Sequence, residues 1–219
     1  MTSNQPIGRD SLAKPLRRIQ RDLSGGHSQH GGSLIEVLVT MVILMVGLLG
    51  LVGLMVQAQR GQVESYQRVQ ALVVLQDMVN RINANRKGAA CYVTASYVGT
   101  AGTLPGACAV GVPVPTAVQV ATVTRDMTEW QNLLLGSAEA AGGSNAGAMI
   151  GARGCVTAVA AGVYRVSVAW QGTSATKAPP ANASAAINVP CAKDLFNSDG
   201  TDNMRRVVYQ DVQIVDLLG

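Results

Sequence analysis

One carboxylate, Glu36, stands near the start of a long apolar stretch and shortly after a pair of glycines. Cutting the peptide bond between Gly31 and Gly32 would create an α-amino group four residues before that carboxylate. This amine is largely protonated at neutral pH, and a buried ammonium and carboxylate offset each other's loss of hydration. The pattern predicts a charge pair, either within one chain or between neighbours, where it would fix the register of a helical polymer.

The segment that positions Glu36 runs from Leu34 to Val56 and, apart from Glu36 and Thr40, consists of Leu, Val, Ile, Met and Gly. It is long enough to cross a bilayer as a helix, and a charge inside such a span tends to be functional. A secretory signal cleaved after Ala58 and a plain membrane anchor are the simpler alternatives. The apolar run exceeds a typical signal core, and a plain anchor leaves Glu36 unexplained.

Three glycines interrupt this span at a spacing of three residues: Gly47, Gly50 and Gly53. Each glycine weakens a helix interior relative to alanine, and each also permits close packing between membrane helices. The spacing is compatible with local unwinding during assembly and equally with close packing, so both interpretations stay open.

Residues 1–31 form a polar, basic leader that carries much of the net charge of +4. Basic residues just before an apolar span indicate that the leader stays on the cytoplasmic side. A nucleic-acid-binding tail would not explain the apolar run, so no nucleic-acid partner is expected. The only histidines, His27 and His30, lie in this leader, where a polar segment is favoured over a metal-binding pair. Without the leader the chain lacks histidine, the usual general base, and we expect neither enzyme activity nor a cofactor.

The helical pattern continues beyond the membrane-length segment but becomes amphipathic over residues 57–87. Its apolar residues recur mostly at spacings of three and four, namely Val69, Leu72, Val73, Leu75, Val79 and Ile82. Gly88 follows Arg86 and Lys87, a typical helix end. The sequence thus predicts a helix from Leu34 to Lys87 whose second half packs on a globular head.

That head is expected to comprise residues 88–219 and to be built on an antiparallel sheet. Cys155–Ala160 and Val163–Trp170 are predicted to form a hairpin around Ala161-Gly162, because the second strand alternates apolar and polar residues. Further strands are expected at Cys91–Val98 and Arg205–Asp216. The spacing of Asp126 and Glu129 suggests the start of a short helix that includes Trp130. The predicted fold class is therefore α+β.

The cysteines all follow the apolar span: Cys91, Cys108, Cys155 and Cys191. An even number outside the membrane predicts two disulfides, for which three pairings are possible. Loop length favours Cys91–Cys108 with Cys155–Cys191, although the sequence does not decide among the pairings. A zinc site is disfavoured because there is no CxxC pair and no nearby histidine.

Two other groups of residues could bind ligands but are better explained structurally. Asp194, Asp199 and Asp202 surround a glycine, yet their spacing does not fit an EF-hand, so a solvated turn is preferred to a calcium loop. Trp130 and Trp170 are expected to be core or hairpin anchors rather than ligand-stacking residues.

The stretch Gly31-Gly32-Ser33-Leu34-Ile35-Glu36 resembles the prepilin signature of the type IV pilin superfamily. This resemblance implies a pilin-like fold, with a long N-terminal helix on a small antiparallel sheet. It also implies cleavage by prepilin peptidase between Gly31 and Gly32, N-methylation of Gly32, and an assembly role for Glu36. The chain departs from the family at Gly32, where Phe or Met is usual.

Further segments are similar to PilV-type minor pilins: Val46–Leu54, Asp77–Arg86, Tyr164–Gly172 and the strand that begins at Arg205. The resemblance implies a subunit of a priming or tip complex for pilus assembly, adhesion and motility. Its implied partners are other minor pilins, the major pilin and a large tip adhesin. It would reside in the inner membrane with its head in the periplasm, and then in the pilus at the cell surface. A type II secretion pseudopilin and a membrane-anchored periplasmic binding domain are the alternatives.

Overall fold

The computed structural model describes residues 34–106, 108, 115–137, 140–141, 144–145, 147, 149–178, 189–197 and 199–215. The leader and the proposed cut between Gly31 and Gly32 lie outside the described residues, as does Asp216 at the end of the predicted last strand. The chain divides into two compact units, residues 1–50 and 51–219.

Helix α1 comprises Leu34–Ala84, close to the predicted range but ending before Lys87. A 3₁₀ helix, Arg86–Tyr92, follows and draws Cys91 and Tyr92 into the core, so the predicted strand from Cys91 is wrong for most of its length. Only Val98–Gly99 forms a strand there, β1. Asn85 lies at the junction of the two helices, and its side-chain amide donates to the Tyr92 hydroxyl and to a backbone carbonyl of the next helix.

Helix α2 comprises Ala117–Leu134 and begins well before the predicted start near Asp126. Thr116 and Gln119 form the capping box, in which each side chain accepts a hydrogen bond from the other residue's backbone N–H. The prediction at Asp126 and Glu129 was wrong because these residues lie in the middle of α2, where their carboxylates reach toward α1.

The strands that follow are β2 (Ala140–Ala141), β3 (Ser144–Asn145), β4 (Arg153–Ala160), β5 (Val163–Gln171) and β6 (Arg205–Gln213). The main sheet has the order β1-β4-β5-β6 with antiparallel pairing throughout, and β2 pairs separately with β3. The predicted hairpin of β4 and β5 is confirmed, and β6 confirms a last strand that begins at Arg205. The structure thus has the predicted α+β fold class, with a long N-terminal helix and a small antiparallel sheet.

The main core lies between one face of the sheet and the two helices. Trp130 of α2 is fully buried, and its indole Nε1 donates to the carbonyl of Val74 at 2.9 Å. Gly154 of β4 lies directly beneath this indole, where an added Cβ would clash with the ring. Successive residues of a strand face opposite sides, so Cys155 points to the other face and a second cluster with Ala169 and Cys191.

The apolar residues of α1 that follow the membrane-length segment divide between two faces of the helix. Leu75, Val79 and Ile82 are buried against the head, as predicted. Val69, Leu72 and Val73, expected on the same face, are 60%, 47% and 59% exposed. The prediction failed for these three because residues of this part of α1 are apolar on both sides, and spacing alone did not separate a face that packs on the head from one that does not.

Candidate functional site

Glu36 lies in the first turn of α1, where the helix dipole favours a negative charge. Every residue from 34 to 56 is exposed, and the large apolar side chains among them cover the helix on all sides. An all-round apolar helix is typical of a membrane span. Residues 34–84 contain the one described helix that is long and apolar enough to cross a membrane.

Gly47, Gly50 and Gly53 all lie within the α-helical range of α1. A Cβ added at any of them would meet no other atom within 4 Å. Within the described residues these glycines are therefore not required by close packing inside the chain, which leaves their expected roles in unwinding or in contacts between chains as predictions.

Glu64 joins α1 to the sheet through a dense set of hydrogen bonds. Its carboxylate accepts from Nε of Arg206 on β6 and, through the other oxygen, from the backbone N–H and hydroxyl of Thr173. Arg206 also donates to the hydroxyl of Thr176 and the carbonyl of Ser174, so the loop after β5 is fixed at the same point. Burial would raise the pKa of Glu64, but the hydrogen bonds from Arg206 and Thr173 outweigh it and hold the pKa below its ordinary value.

A second polar cluster joins the end of α1 to α2. Arg81 pairs with Asp77 at 2.6 Å, and its Nη1 reaches Asp126 at 3.2 Å and Glu129 at 2.5 Å. Burial would lower the pKa of Arg81, but the hydrogen bonds to Asp77 and Glu129 outweigh it, and the net direction is upward. The spacing of Asp77 and Arg81 could have suggested their pairing from the sequence. The carboxylates of α2 could not have been assigned, because they come from a distant part of the chain.

Tyr92 completes this cluster from the 3₁₀ helix. Its hydroxyl donates to Oδ2 of Asp126 at 2.5 Å and accepts from the side chain of Asn85 at 3.3 Å. Burial, reinforced by the hydrogen bond to Asp126, raises the pKa of Tyr92 well above its ordinary value. The three helices are thereby held together by buried Tyr92 and Asp126 and by the more exposed polar groups that hydrogen-bond around them.

The structure pairs Cys91 with Cys108 and Cys155 with Cys191, with Cα–Cα separations of 4.8 and 5.8 Å. The second disulfide is reinforced by Arg205, whose Nη1 donates to the carbonyls of Val189 and Cys191. The guanidinium also binds Asp202 at 2.8 Å in an ion pair that is almost fully buried.

The pairing with Arg205 bears directly on the calcium alternative at Asp194, Asp199 and Asp202. Asp202 is already occupied by Arg205, and Asp199 accepts hydrogen bonds from the backbone and hydroxyl of Thr201. The described residues contain no group of three acidic, histidine or cysteine side chains placed to hold a metal ion.

The two tryptophans lie on the helix-facing side of the sheet. Trp130 is a core residue, as described above, and Trp170 of β5 is 2% exposed. Trp170 differs in that its indole Nε1 has no hydrogen-bond partner among the described residues. Both positions fit the expected role of core and hairpin anchors.

The fold and the apolar helix define a membrane-anchored subunit with a disulfide-linked α+β head. Comparison with known families gives two matches along the chain. Residues 26–52 match the prokaryotic N-terminal methylation motif, and residues 53–128 match type IV pilin Tt1218. These two matches together support a type IV prepilin, and the pilin match implies a subunit that assembles with other pilins. No curated protein and no solved structure matched the sequence.

Proposed function

We propose that this pilin is a minor, non-catalytic subunit of a type IV pilus that acts in a priming or tip complex for assembly, adhesion and motility. The observation that carries the pilus role is Glu36, the single charged residue in the exposed, otherwise apolar stretch of residues 34–56, which begins within the methylation motif. The similarity of the span, the helix end and the last strand to PilV-type minor pilins supports the minor role. Its partners are then other minor pilins, the major pilin and a large tip adhesin.

Processing is the first step of this proposal. Prepilin peptidase cuts between Gly31 and Gly32 and methylates Gly32, which removes the basic leader of residues 1–31. The new ammonium lies about one helical turn from Glu36, and the two charges offset each other's desolvation in lipid or in the filament. Residues 32–56 then serve as the membrane half of the helix, residues 57–87 as its amphipathic half, and residues 88–219 as the head in the periplasm.

The second apolar face of α1 supports a role as a packed subunit. Val69, Leu72 and Val73 are mostly exposed beside residues that the head already covers. An exposed apolar patch on a secreted subunit marks a protein interface. In the filament, helices of neighbouring pilins cover this face, and Gly47, Gly50 and Gly53 allow α1 to unwind or to pack closely.

Replacement of Glu36 tests the proposal. Glu36→Gln and Glu36→Ala should reach the membrane at normal levels but be lost from sheared pili, since the ammonium loses its partner. Asp199→Asn is the matched control, because it removes a carboxylate from an exposed turn of the head. Incorporation is measured by immunoblotting of pilus and membrane fractions. Normal incorporation of both Glu36 variants would disprove the assembly role.

A further inference from the structure

A cleft of about 230 Å³ opens where α1 passes the ends of β5 and β6. It is lined by Glu64, Arg68, Trp170, Arg206, Val207 and Val208. Its polar walls carry two guanidinium groups and one carboxylate, which gives a local excess of positive charge.

Both oxygens of the carboxylate in this cleft already accept hydrogen bonds from the head. Glu64 accepts from Arg206 through one oxygen and from Thr173 through the other. Arg68 follows Glu64 by four residues, a spacing at which the two would ordinarily pair on a helix. The carboxylate of Glu64 is directed instead to the head, and within the part of the chain that the structure describes Arg68 has no acidic partner.

Because Glu64 is engaged and Arg68 has no acidic partner in the described part of the chain, the cleft is suited to bind a group that accepts hydrogen bonds. Arg68 is an exposed cation, and Trp170 forms a wall with a buried indole N–H that has no acceptor among the described residues. Burying an N–H without an acceptor is costly, and a guanidinium recognises a carboxylate with paired hydrogen bonds. A carboxylate that enters the cleft offers such paired acceptors to the guanidinium of Arg68.

We propose that this cleft receives the carboxylate of an acidic side chain from a neighbouring pilin, with Arg68 as its main partner. The chain is a pilin subunit, so another pilin is the source of carboxylate that lies next to it in the filament. A free small carboxylate is the other source of the same chemistry. The proposal needs only the pilin assignment and would hold for a major, a minor or a tip subunit.

Zero-length cross-linking of the full-length protein in its pili tests the proposal. In Arg68→Lys the charge is kept, and a carbodiimide can join the lysine ε-amine to a touching carboxylate as an amide, with loss of water. Arg86→Lys is the matched control, since Arg86 is an exposed cation near the far end of α1. Mass spectrometry locates the linked residues. We expect position 68 to link to an Asp or Glu of another pilin, and position 86 to give no such link.

A charge-reversal variant of Arg68 tests whether the contact is needed for incorporation into pili. Arg68→Glu should lower incorporation into pili by about tenfold relative to Arg86→Glu, because like charges across an interface repel, and a basic residue at the linked partner position should restore it. The proposal is overturned if the lysine at position 68 links only to Glu64 of its own chain, or to nothing. It is equally overturned if glutarate raises the melting temperature of the purified protein while no link to another pilin forms. Recovery of the wild-type protein from sheared pili tests separately whether the protein is part of a pilus.

Discussion

Glu64 of α1 and Arg206 of β6 are 142 residues apart in sequence, yet their side chains form an ion pair that ties the helix to the last strand. Glu64 lies in the first half of the amphipathic part of α1, whereas Arg81 and the carboxylates that it binds lie near the end of the helix. The head is therefore fixed to α1 at two separate points as well as through its apolar core.

The Glu64–Arg206 pair makes the stability of the head depend on pH. The pKa of Glu64 is lowered in the folded protein, so its contribution is present above the ordinary pKa of 4.5 and is lost as the pH falls through the folded value. Glu64→Gln should lower the melting temperature at about pH 6, and the difference from wild type should shrink toward about pH 3. Calorimetry of the purified protein at both pH values measures this. A difference that grows on acidification would contradict the assigned pairing.

Removal of the Tyr92 hydroxyl should destabilise the junction of the three helices. Tyr92→Phe leaves Asn85 and Asp126 each without one buried hydrogen bond, at a cost of about 1–3 kcal/mol. Tyr97→Phe is the matched control, because its ring stays over Arg153 and its hydroxyl has no partner among the described residues. Equal unfolding free energies for the two variants in denaturant titrations would show that the Tyr92 network does not stabilise the fold.

Replacement by alanine should change the free energy of unfolding in opposite directions at Gly154 and at Gly61. Gly154→Ala places a methyl group against Trp130 and Leu134 and should destabilise by about 1–3 kcal/mol, because the fully buried indole has little room to move. Gly61→Ala meets nothing within 4 Å and should stabilise α1 by about 0.5–1 kcal/mol. Chemical denaturation measures both variants. A neutral Gly154→Ala would show that Trp130 is not packed as described.

The two disulfides should differ modestly in how much they add to the free energy of unfolding. The loops they close have sequence separations of 17 and 36 residues, and chain entropy assigns them about 3 and about 4 kcal/mol respectively. Replacing Cys155 and Cys191 together by Ala should therefore lower the melting temperature more than replacing Cys91 and Cys108. A larger loss of melting temperature on replacing Cys91 and Cys108 would contradict this order. It would indicate that native contacts, such as those of Arg205 beside Cys191, affect stability more than loop entropy does.

Those parts of the fold that depend on local pattern were predictable from the sequence. The apolar run, the hairpin of β4 and β5, and β6 each carry a clear periodicity or turn signal. The start of α2 was misplaced because Asp126 and Glu129 mimic a capping pattern, whereas Thr116 and Gln119 supply the real one. The burial of Cys91 and Tyr92 in a 3₁₀ helix depends on contacts with α2, which no local pattern reveals.

Some residues of the candidate site were likewise predictable from the sequence, and others were not. Glu36 stands out because a charge in an apolar run is conspicuous in any sequence. The role of Glu64 was hidden because it is one of many polar residues on α1, and only the folded chain brings Arg206 and Thr173 to it. Likewise Val69, Leu72 and Val73 could not be separated from the core-facing residues until the position of the head was known.

The central claim is that the chain is cut before Gly32 and then enters a pilus with Glu36 as its assembly carboxylate. N-terminal sequencing of the protein recovered from sheared pili tests this most directly. The predicted result is a chain that begins at Gly32, recovered from the pilus fraction. A chain that retains Met1, or begins after Ala58, or is absent from the pili, would contradict the account.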